Sequence, residues 1–468
     1  MTLDLDLDII ILSAYLVSAA LFILGLRYMG SPATARFGNT LGASGMLLAI
    51  IVTLINEEIL RYELIIAGVL VGGVIGVFFA RQVKMTAMPQ MVAVFNGFGG
   101  GASALIAVSE YFRLYDAGTE MSLDTSVTIM LGVLIGTITL SGSAIATGKL
   151  QEVITGRAIR LPLQNILSAI LFAVIIGLAV SQIAFEANPI PFVALIALCL
   201  VLGVLLVMPI GGADMPVVIS LLNSYSGLAA AAAGFVIGNP ILIIAGALVG
   251  AAGFILTQIM TRAMHRSLAN VMFGAFGAGG GGAAASGVAE GATVRTGSPE
   301  DLGVLLAYAD SVIVVPGYGL AVAQAQRQVR DLADLLEDRG VDVRYAIHPV
   351  AGRMPGHMNV LLAEVDVPYD RLYDLDQIND EFERTDVAIV VGANDVTNPS
   401  AREVTDSPIY GMPILNVDHA RNIIVLKRSM SPGFAGIDNP LFYNEKTSML
   451  FADAKDGLNR LIEAVQEN

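Results

Sequence analysis

Charge-free apolar stretches recur along the first 261 residues, over 9–26, 37–56, 64–80, 85–109, 125–148, 161–185, 187–213 and 215–261. A helix rises about 1.5 Å per residue and the hydrocarbon layer is roughly 30 Å thick, so about 20 apolar residues cross it. The last stretch is long enough for two helices broken at Asn239-Pro240. The pattern therefore predicts a multi-span α-helical membrane domain of about nine helices over residues 1–262. From residue 301 the pattern changes to short apolar runs separated by amphipathic helices, the alternation expected of a parallel sheet covered on both faces. Strands are predicted over residues 311–315, 341–347, 360–363, 387–391, 414–417 and 423–426, with a helix over 321–338. Between the two regions, residues 263–300 read as a linker; its apolar, glycine-rich run 274–287 is either a hinge or a membrane-surface segment.

Charge sharpens this division. Hydrophobic residues make up 55% of the chain, more than a water-soluble interior requires. Residues 1–290 carry 14 acidic and 11 basic side chains, and residues 291–468 carry 27 and 15, so most of the net charge of −15 lies on the second region. An acidic soluble domain argues against nucleic acid as a partner. Arg27, Arg36, Arg81, Lys84, Lys149, Arg157, Arg160, Arg262 and Arg266 fall on one side of the nine predicted spans. The other side has Arg61 and Arg113 among Glu57, Glu58, Glu110 and Asp124. Basic loops face the cytoplasm, so the C-terminal domain is expected there, or on the matrix side in an organelle. The acidic start, 1–8, lacks the basic region of a secretory signal, so residues 9–26 read as a retained span.

Polar groups at membrane depth need partners that hydrocarbon does not supply. Asn96, Asn165 and the run Asn223-Ser224-Tyr225-Ser226 following the border residue Asp214 are such groups. They act either as structural glue between helices or as a polar pathway. The four histidines, His265, His348, His357 and His419, all lie outside the spans, so any proton path must borrow its titrating group or do without one. Cys199 is the only cysteine, which leaves this chain neither a disulfide framework nor a thiolate metal site.

In the second region, Pro316-Gly317-Tyr318-Gly319-Leu320-Ala321-Val322 joins a strand to a helix. Such a turn either brings backbone amides and a helix N-terminus to a pyrophosphate or is simply tight. The next strand lacks the terminal acid that holds a ribose 2'-hydroxyl in common NAD enzymes. It is followed instead by His348-Pro349-Val350-Ala351-Gly352-Arg353-Met354-Pro355-Gly356, in which Arg353 is a phosphate ligand or a solvated side chain. A further strand ends in Gly392-Ala393-Asn394-Asp395, and the last predicted strand in Lys427-Arg428-Ser429. That cationic pair with a hydroxyl suits a 2'-phosphate, unless it only marks the strand end. Residues 432–440, with Gly433 and Gly436, have the composition of a lid.

Together these motifs resemble the beta subunit of the proton-translocating NAD(P) transhydrogenases over nearly the whole chain. The resemblance rests on 211–216, Asn223 to Gly227, Gly317-Tyr318-Gly319 with Ala323-Gln324-Ala325-Gln326, 348–359, Gly392 to Asp395 and Lys427 to Met430. It implies a C-terminal α/β Rossmann-like parallel-sheet domain, residues 301–468, that binds NADP(H), while a partner alpha subunit binds NAD(H). Hydride would pass directly between the two nicotinamides, coupled to proton movement across a cell inner (plasma) membrane. Carried over by motif, Lys427, Arg428 and Ser429 would hold the 2'-phosphate. Arg353 and the Gly317 turn would lie along the pyrophosphate, and Asp395 near the nicotinamide. Gly317 to Val322, Val350 to Met354, Gly392 to Val396, Asp453 and Ala454 would complete the site, beneath a lid formed by Gly433, Phe434, Ala435, Gly436, Ile437, Asp438, Asn439 and Pro440. In this family NADP(H) binds reversed relative to ordinary Rossmann proteins. The proton path would use Asn96, Asp214, Asn223, Ser224 and Ser226, and two protomers would pair. Many relatives have histidine where this chain has Asn96, which implies a protonatable group from a membrane-spanning part of the alpha subunit. Phe434 replaces the tyrosine common in the lid.

A nucleotide-regulated channel or transporter is the main rival. The Gly317-Tyr318-Gly319 run follows a soluble strand instead of lying between spans, unlike a potassium filter. A purely structural membrane anchor would leave the polar cluster at membrane depth unexplained.

Overall fold

The computed structural model describes residues 2–31, 33–56, 62–83, 87–155, 159, 161–185, 187–211, 214–264, 267–268, 271, 293–354, 356–407, 409–433 and 435–468. Of the residues named above, Glu57, Glu58, Arg61, Lys84, Arg157, Arg160, Gly212, Ala213, His265, Arg266, Pro355, Phe434 and the run 274–287 lie outside them. The described residues form two compact units.

One unit is helical. Nine helices among the described residues are long and apolar enough to cross a membrane: α1 (Thr2–Met29), α2 (Ala35–Asn56), α3 (Tyr62–Gln82), α4 (Met88–Asp116), α5 (Leu123–Leu150), α6 (Gln164–Ala184), α7 (Pro189–Val207), α8 (Met215–Val236) and α9 (Pro240–Ala263). The α8 and α9 break falls at Asn239-Pro240, where the Asn239 carboxamide accepts the Leu242 N–H at 3.1 Å. Proline at the first helical position loses no internal hydrogen bond. Small residues bring these helices into contact, as expected where lipid offers no hydrophobic drive between helices. A Cβ on Gly253 would come within 2.7 Å of the Ser224 backbone, and one on Gly100 within 3.0 Å of the Gly136 carbonyl. Tyr111 stacks on Phe192 at 3.7 Å between ring centres and donates to Gln182 Oε1 at 2.7 Å, which fastens α4 to α6 and α7. Helix α3 is the exception: it buries no residue.

The other unit is built on a six-stranded sheet of β1 (Ser311–Pro316), β2 (Asp342–Ile347), β3 (Leu372–Asp374), β4 (Val387–Val391), β5 (Asn422–Lys427) and β6 (Thr447–Phe451). The order is β3-β2-β1-β4-β5-β6 and every pairing is parallel. Ile313, Val315, Ala388, Val390, Ile423 and Val425 face one layer with Phe382, Leu415 and Phe442. On the helix Gln326–Asp338, Val329, Leu332, Ala333 and Leu336 form a single buried stripe, as do Leu458, Leu461 and Val465 on the helix Ala454–Glu467. Burial on both faces explains why the strands read as continuous apolar runs. Upstream of residue 301, Arg295 accepts the Met449 N–H at 2.8 Å and Gly297 donates to the Met449 carbonyl at 3.0 Å, so that segment joins the sheet beside β6.

Several predicted elements are corrected. Residues 360–363 belong to the helix His357–Ala363, because a short apolar run suits a buried helix turn as well as a strand. Residues 414–417 form no strand, although Leu415 N–H reaches the Val396 carbonyl at 2.9 Å. The predicted helix 321–338 is two helices, Tyr318–Ala323 and Gln326–Asp338, parted at Gln324, which is left-handed with φ 50°. Strands β3 and β6 were not predicted, and β6 follows the strand taken as last.

Candidate functional site

In this strand order, strands are added to one side of β1 up to β3 and then to its other side from β4, and ligands of open parallel sheets bind outside the carboxyl ends of the strands at that switch point. The turn after β1 and the turn after β4 meet there closely enough to require glycine. Gly317 donates to the Val391 carbonyl at 2.9 Å and Gly319 to the Gly392 carbonyl at 2.9 Å. A Cβ on Gly319 would come within 2.7 Å of Gly392 Cα, and Gly392 itself has a left-handed φ of 67°. Two amides of the glycine turn are thus spent on the last residue of β4 and the glycine that follows it. The turn cannot offer them to a pyrophosphate in the ordinary Rossmann manner.

A cleft runs along this edge. Its lining brings together Gly317, Tyr318, Gly319, Val322, Val350, Ala351, Gly352, Gly392, Ala393, Asn394, Asp395, Val396, Lys427, Arg428, Ser429, Gly433, Ala435, Asp453 and Ala454 from the predicted set. Leu320 and Ala321 are fully buried in the core beneath it. Arg353 and Met354 continue the loop that supplies Val350 to Gly352, and the Arg353 guanidinium lies 4.5 Å from the centre of the Tyr318 ring. Pro432, from the predicted 432–440 segment, also lines the cleft, as do Ala323, Ile409, Met412, Leu426, Ser431 and Ala452, which were not predicted. Ser431 abuts the predicted lid and was within reach of the sequence; Ile409 and Met412 arrive only through tertiary packing.

The segment 432–440 is fastened to the connection after β4. Ala435 N–H donates to Asp395 Oδ2 at 2.9 Å, Asn439 Nδ2 to the Asn394 carbonyl at 3.1 Å, and Asn398 Nδ2 to the Asp438 carbonyl at 3.1 Å. Ile437 is buried with Ala401, Ile409, Met412 and Ile414. Gly436 has a left-handed φ of 72°, and Pro440 opens a short helical turn, Pro440–Tyr443. Gly436 to Pro440 therefore anchor the segment rather than line the cleft. Asp453 caps the helix Ala454–Glu467, accepting Lys455 N–H at 3.1 Å.

The cations differ in their surroundings. Lys427 Nζ donates to the Ser431 carbonyl and lies 5.0 Å from the centre of the Phe442 ring. Burial lowers its pKa, opposed by the carboxylates of Asp395 and Asp438. Arg428 is exposed at the cleft, beside Ser429, whose hydroxyl is 2.9 Å from that of Ser431. Burial pushes His348 down to about 4, against the Pro413 carbonyl, and pushes His357 down to about 4 with help from Arg353.

A family model described as NAD(P) transhydrogenase beta subunit matches residues 11–464. The chain belongs to that family. Two proteins named NAD(P) transhydrogenase subunit beta, both from Rhodospirillum rubrum, are each 50% identical over 458 residues, spanning 97% of this chain and 98% of their own length. Membership and the nine apolar helices make this a multi-pass membrane protein of the transhydrogenases.

In the helical unit, Asn96 Nδ2 donates to the Ile219 carbonyl at 3.1 Å and Ser226 Oγ to the Asn96 carbonyl at 2.8 Å, so α4 and α8 are bonded both ways. Ser224 turns instead to α9 and donates to the Gly250 carbonyl at 2.7 Å. Asn223 is half-buried, and Asp214 stands immediately before α8. The fold brings Asn96 and Ser226 together; Ser224 belongs to a different helix contact.

Proposed function

We propose that this chain is the membrane and NADP(H)-binding subunit of a proton-translocating transhydrogenase. The observation that carries the reading is the chemistry of two strand ends. β2 ends at Ile347 without a carboxylate for a ribose 2'-hydroxyl, while β5 runs into Lys427-Arg428-Ser429 at the cleft. A guanidinium with a neighbouring hydroxyl fits a phosphate dianion.

NADP(H), when bound, supplies the hydride chemistry, and the residues here bind, orient and exclude water. Arg428 and Ser429 take the 2'-phosphate, with Lys427 beside them. Val350 to Gly352 and Arg353 approach the pyrophosphate, an arrangement that accords with the spent amides of Gly317 and Gly319 and with a reversed nucleotide. Asp395 stands at the nicotinamide end and holds the lid.

An alpha subunit brings NAD(H) and adds a membrane-spanning part; two such protomers pair. The unburied helix α3 supports further helices beside this bundle. Proton movement past Asn96, Asp214, Asn223, Ser224 and Ser226 biases the affinity of the soluble domain for NADP+ against NADPH, and linkage makes the bias reciprocal. The domain carrying the cleft is on the cytoplasmic side of the inner membrane. Titration of the purified full chain with NADPH and with NADH tests the cleft: NADPH binds more tightly, and equal affinities overturn the assignment.

A further inference from the structure

The loop between β2 and the helix His357–Ala363 is held by two imidazoles, one at each end. His348 Nδ1 accepts the Val350 N–H at 3.2 Å, and its Nε2 lies 2.8 Å from the Pro413 carbonyl. Both nitrogens are satisfied, as in an ordinary buried histidine. His357 is different. Its Nδ1 accepts the Arg353 N–H at 3.0 Å, which puts the ring proton of the neutral form on Nε2. That nitrogen is buried and has no hydrogen-bond partner among the described residues, in a side chain that is 0% exposed.

Leaving a buried donor unpaired costs stability, and an apolar side chain of similar volume would avoid the cost. The ring contributes its acceptor and its shape instead. Gly352 has φ 109°, and a Cβ there would lie 2.6 Å from His357 Cβ and 2.7 Å from Cγ, so the loop is wrapped directly on the imidazole. On the β1 side the Tyr318 ring is 6.4 Å from the imidazole, and Tyr318 in turn carries the Arg353 guanidinium. One buried ring thus touches the loop after β2, the residue that opens the helix after β1, and the backbone of a cation. Burial and the nearby guanidinium keep it neutral, and therefore an acceptor, at ordinary pH.

We infer that His357 is a positioning residue for nucleotide binding: its Nδ1 fixes the shape of the 350–353 loop that presents backbone to the cleft and seats Arg353 on Tyr318. The inference rests on the reading of the cleft as the NADP(H) site. An asparagine carboxamide oxygen can occupy the place of Nδ1, a glutamine oxygen reaches only toward Nε2, and leucine has no acceptor.

The test is nucleotide titration of the full chain carrying H357N, H357Q or H357L, with thermal unfolding followed in parallel. In the assembled enzyme, KM for NADPH and kcat are measured for the same variants. H357N stays within about threefold of the unaltered chain, while H357L and H357Q weaken NADPH binding about tenfold or more. KM rises with kcat at saturation unchanged, and the NADPH to NADH preference is kept, because the 2'-phosphate ligands are untouched. Should H357L fail to fold, H357Q carries the same test. Tight NADPH binding by a folded H357Q or H357L, or binding by H357N as weak as theirs, overturns the inference alone. An unaltered chain that does not prefer NADPH overturns the reading of the cleft, and the inference with it.

Discussion

The Asp395 carboxylate accepts the Ala435 N–H at 2.9 Å, and Gly433 lies so near the same carboxylate that a Cβ there would overlap it. One acidic side chain therefore fastens the backbone at Ala435 while glycine at 433 makes room for it. Replacing Asp395 by Ala removes a charge-assisted bond of about 1.5–3 kcal/mol, so NADPH release should accelerate roughly tenfold or more in stopped-flow displacement. G433A should act in the same direction. Unchanged release in both variants would show that the lid is held by its other anchors, Asn439 and Ile437.

Arg428 is the exposed guanidinium at the cleft, whereas Lys427 is engaged with Ser431 and Phe442. R428A should weaken NADPH binding about 10- to 100-fold and leave NADH binding within about twofold, since only the former carries the extra phosphate. Equal weakening of both nucleotides in titrations would count against Arg428 as a 2'-phosphate ligand.

What the sequence revealed follows from the strength of each local signal. Helices α1 to α9 are legible because lipid demands unbroken apolar length, and Asn239-Pro240 marks the one division inside a longer run. Strands β1, β4 and β5 are legible because they are buried on both faces and rich in valine and isoleucine. β3 is three residues, Leu372 to Asp374, and β6 is Thr-Ser-Met-Leu-Phe; neither carries a periodic pattern. Val360 to Ala363 deceived because four apolar residues have no period of their own. The glycine turn and the Lys427 to Ser429 cluster were visible as motifs. The contact of Gly319 with Gly392 and the bond from Arg353 to His357 were not, since each joins residues whose proximity only the fold creates.

Acid should loosen the soluble domain. His348 and His357 are pushed from 6.5 to about 4, chiefly by burial. Between these values the unfolded chain binds protons that the folded one refuses, so stability falls as pH drops from about 6.5 to about 4, by up to about 3 kcal/mol for each histidine, and levels off below. The Pro413 carbonyl facing His348 opposes its shift, and the Arg353 guanidinium facing His357 adds to its shift. Thermal unfolding of the full chain between pH 7 and 4.5 checks this, and H357N should flatten part of the acid loss. A midpoint indifferent to pH over that range, or a slope unchanged in H357N, would contradict it.

In the membrane unit, Asn96 ties α4 to α8 through Ile219 and Ser226. N96L removes a bond of roughly 0.6–1.7 kcal/mol within a lipid-embedded bundle, so the chain should still assemble. Proton-coupled turnover should fall severalfold, with NADPH affinity of the detergent-purified chain unchanged. Unaltered coupled turnover in N96L would reduce Asn96 to helix glue.

On the proposed function, the helical bundle and the nucleotide domain bias one another. Sealed vesicles holding the assembled transhydrogenase, with its alpha subunit, report this coupling when hydride exchange between NAD(H) and NADP(H) is measured under an imposed pH gradient. A gradient of one polarity should accelerate the reaction, the opposite polarity should slow it, and an uncoupler should abolish both effects. An exchange rate that is the same under all three conditions would contradict it.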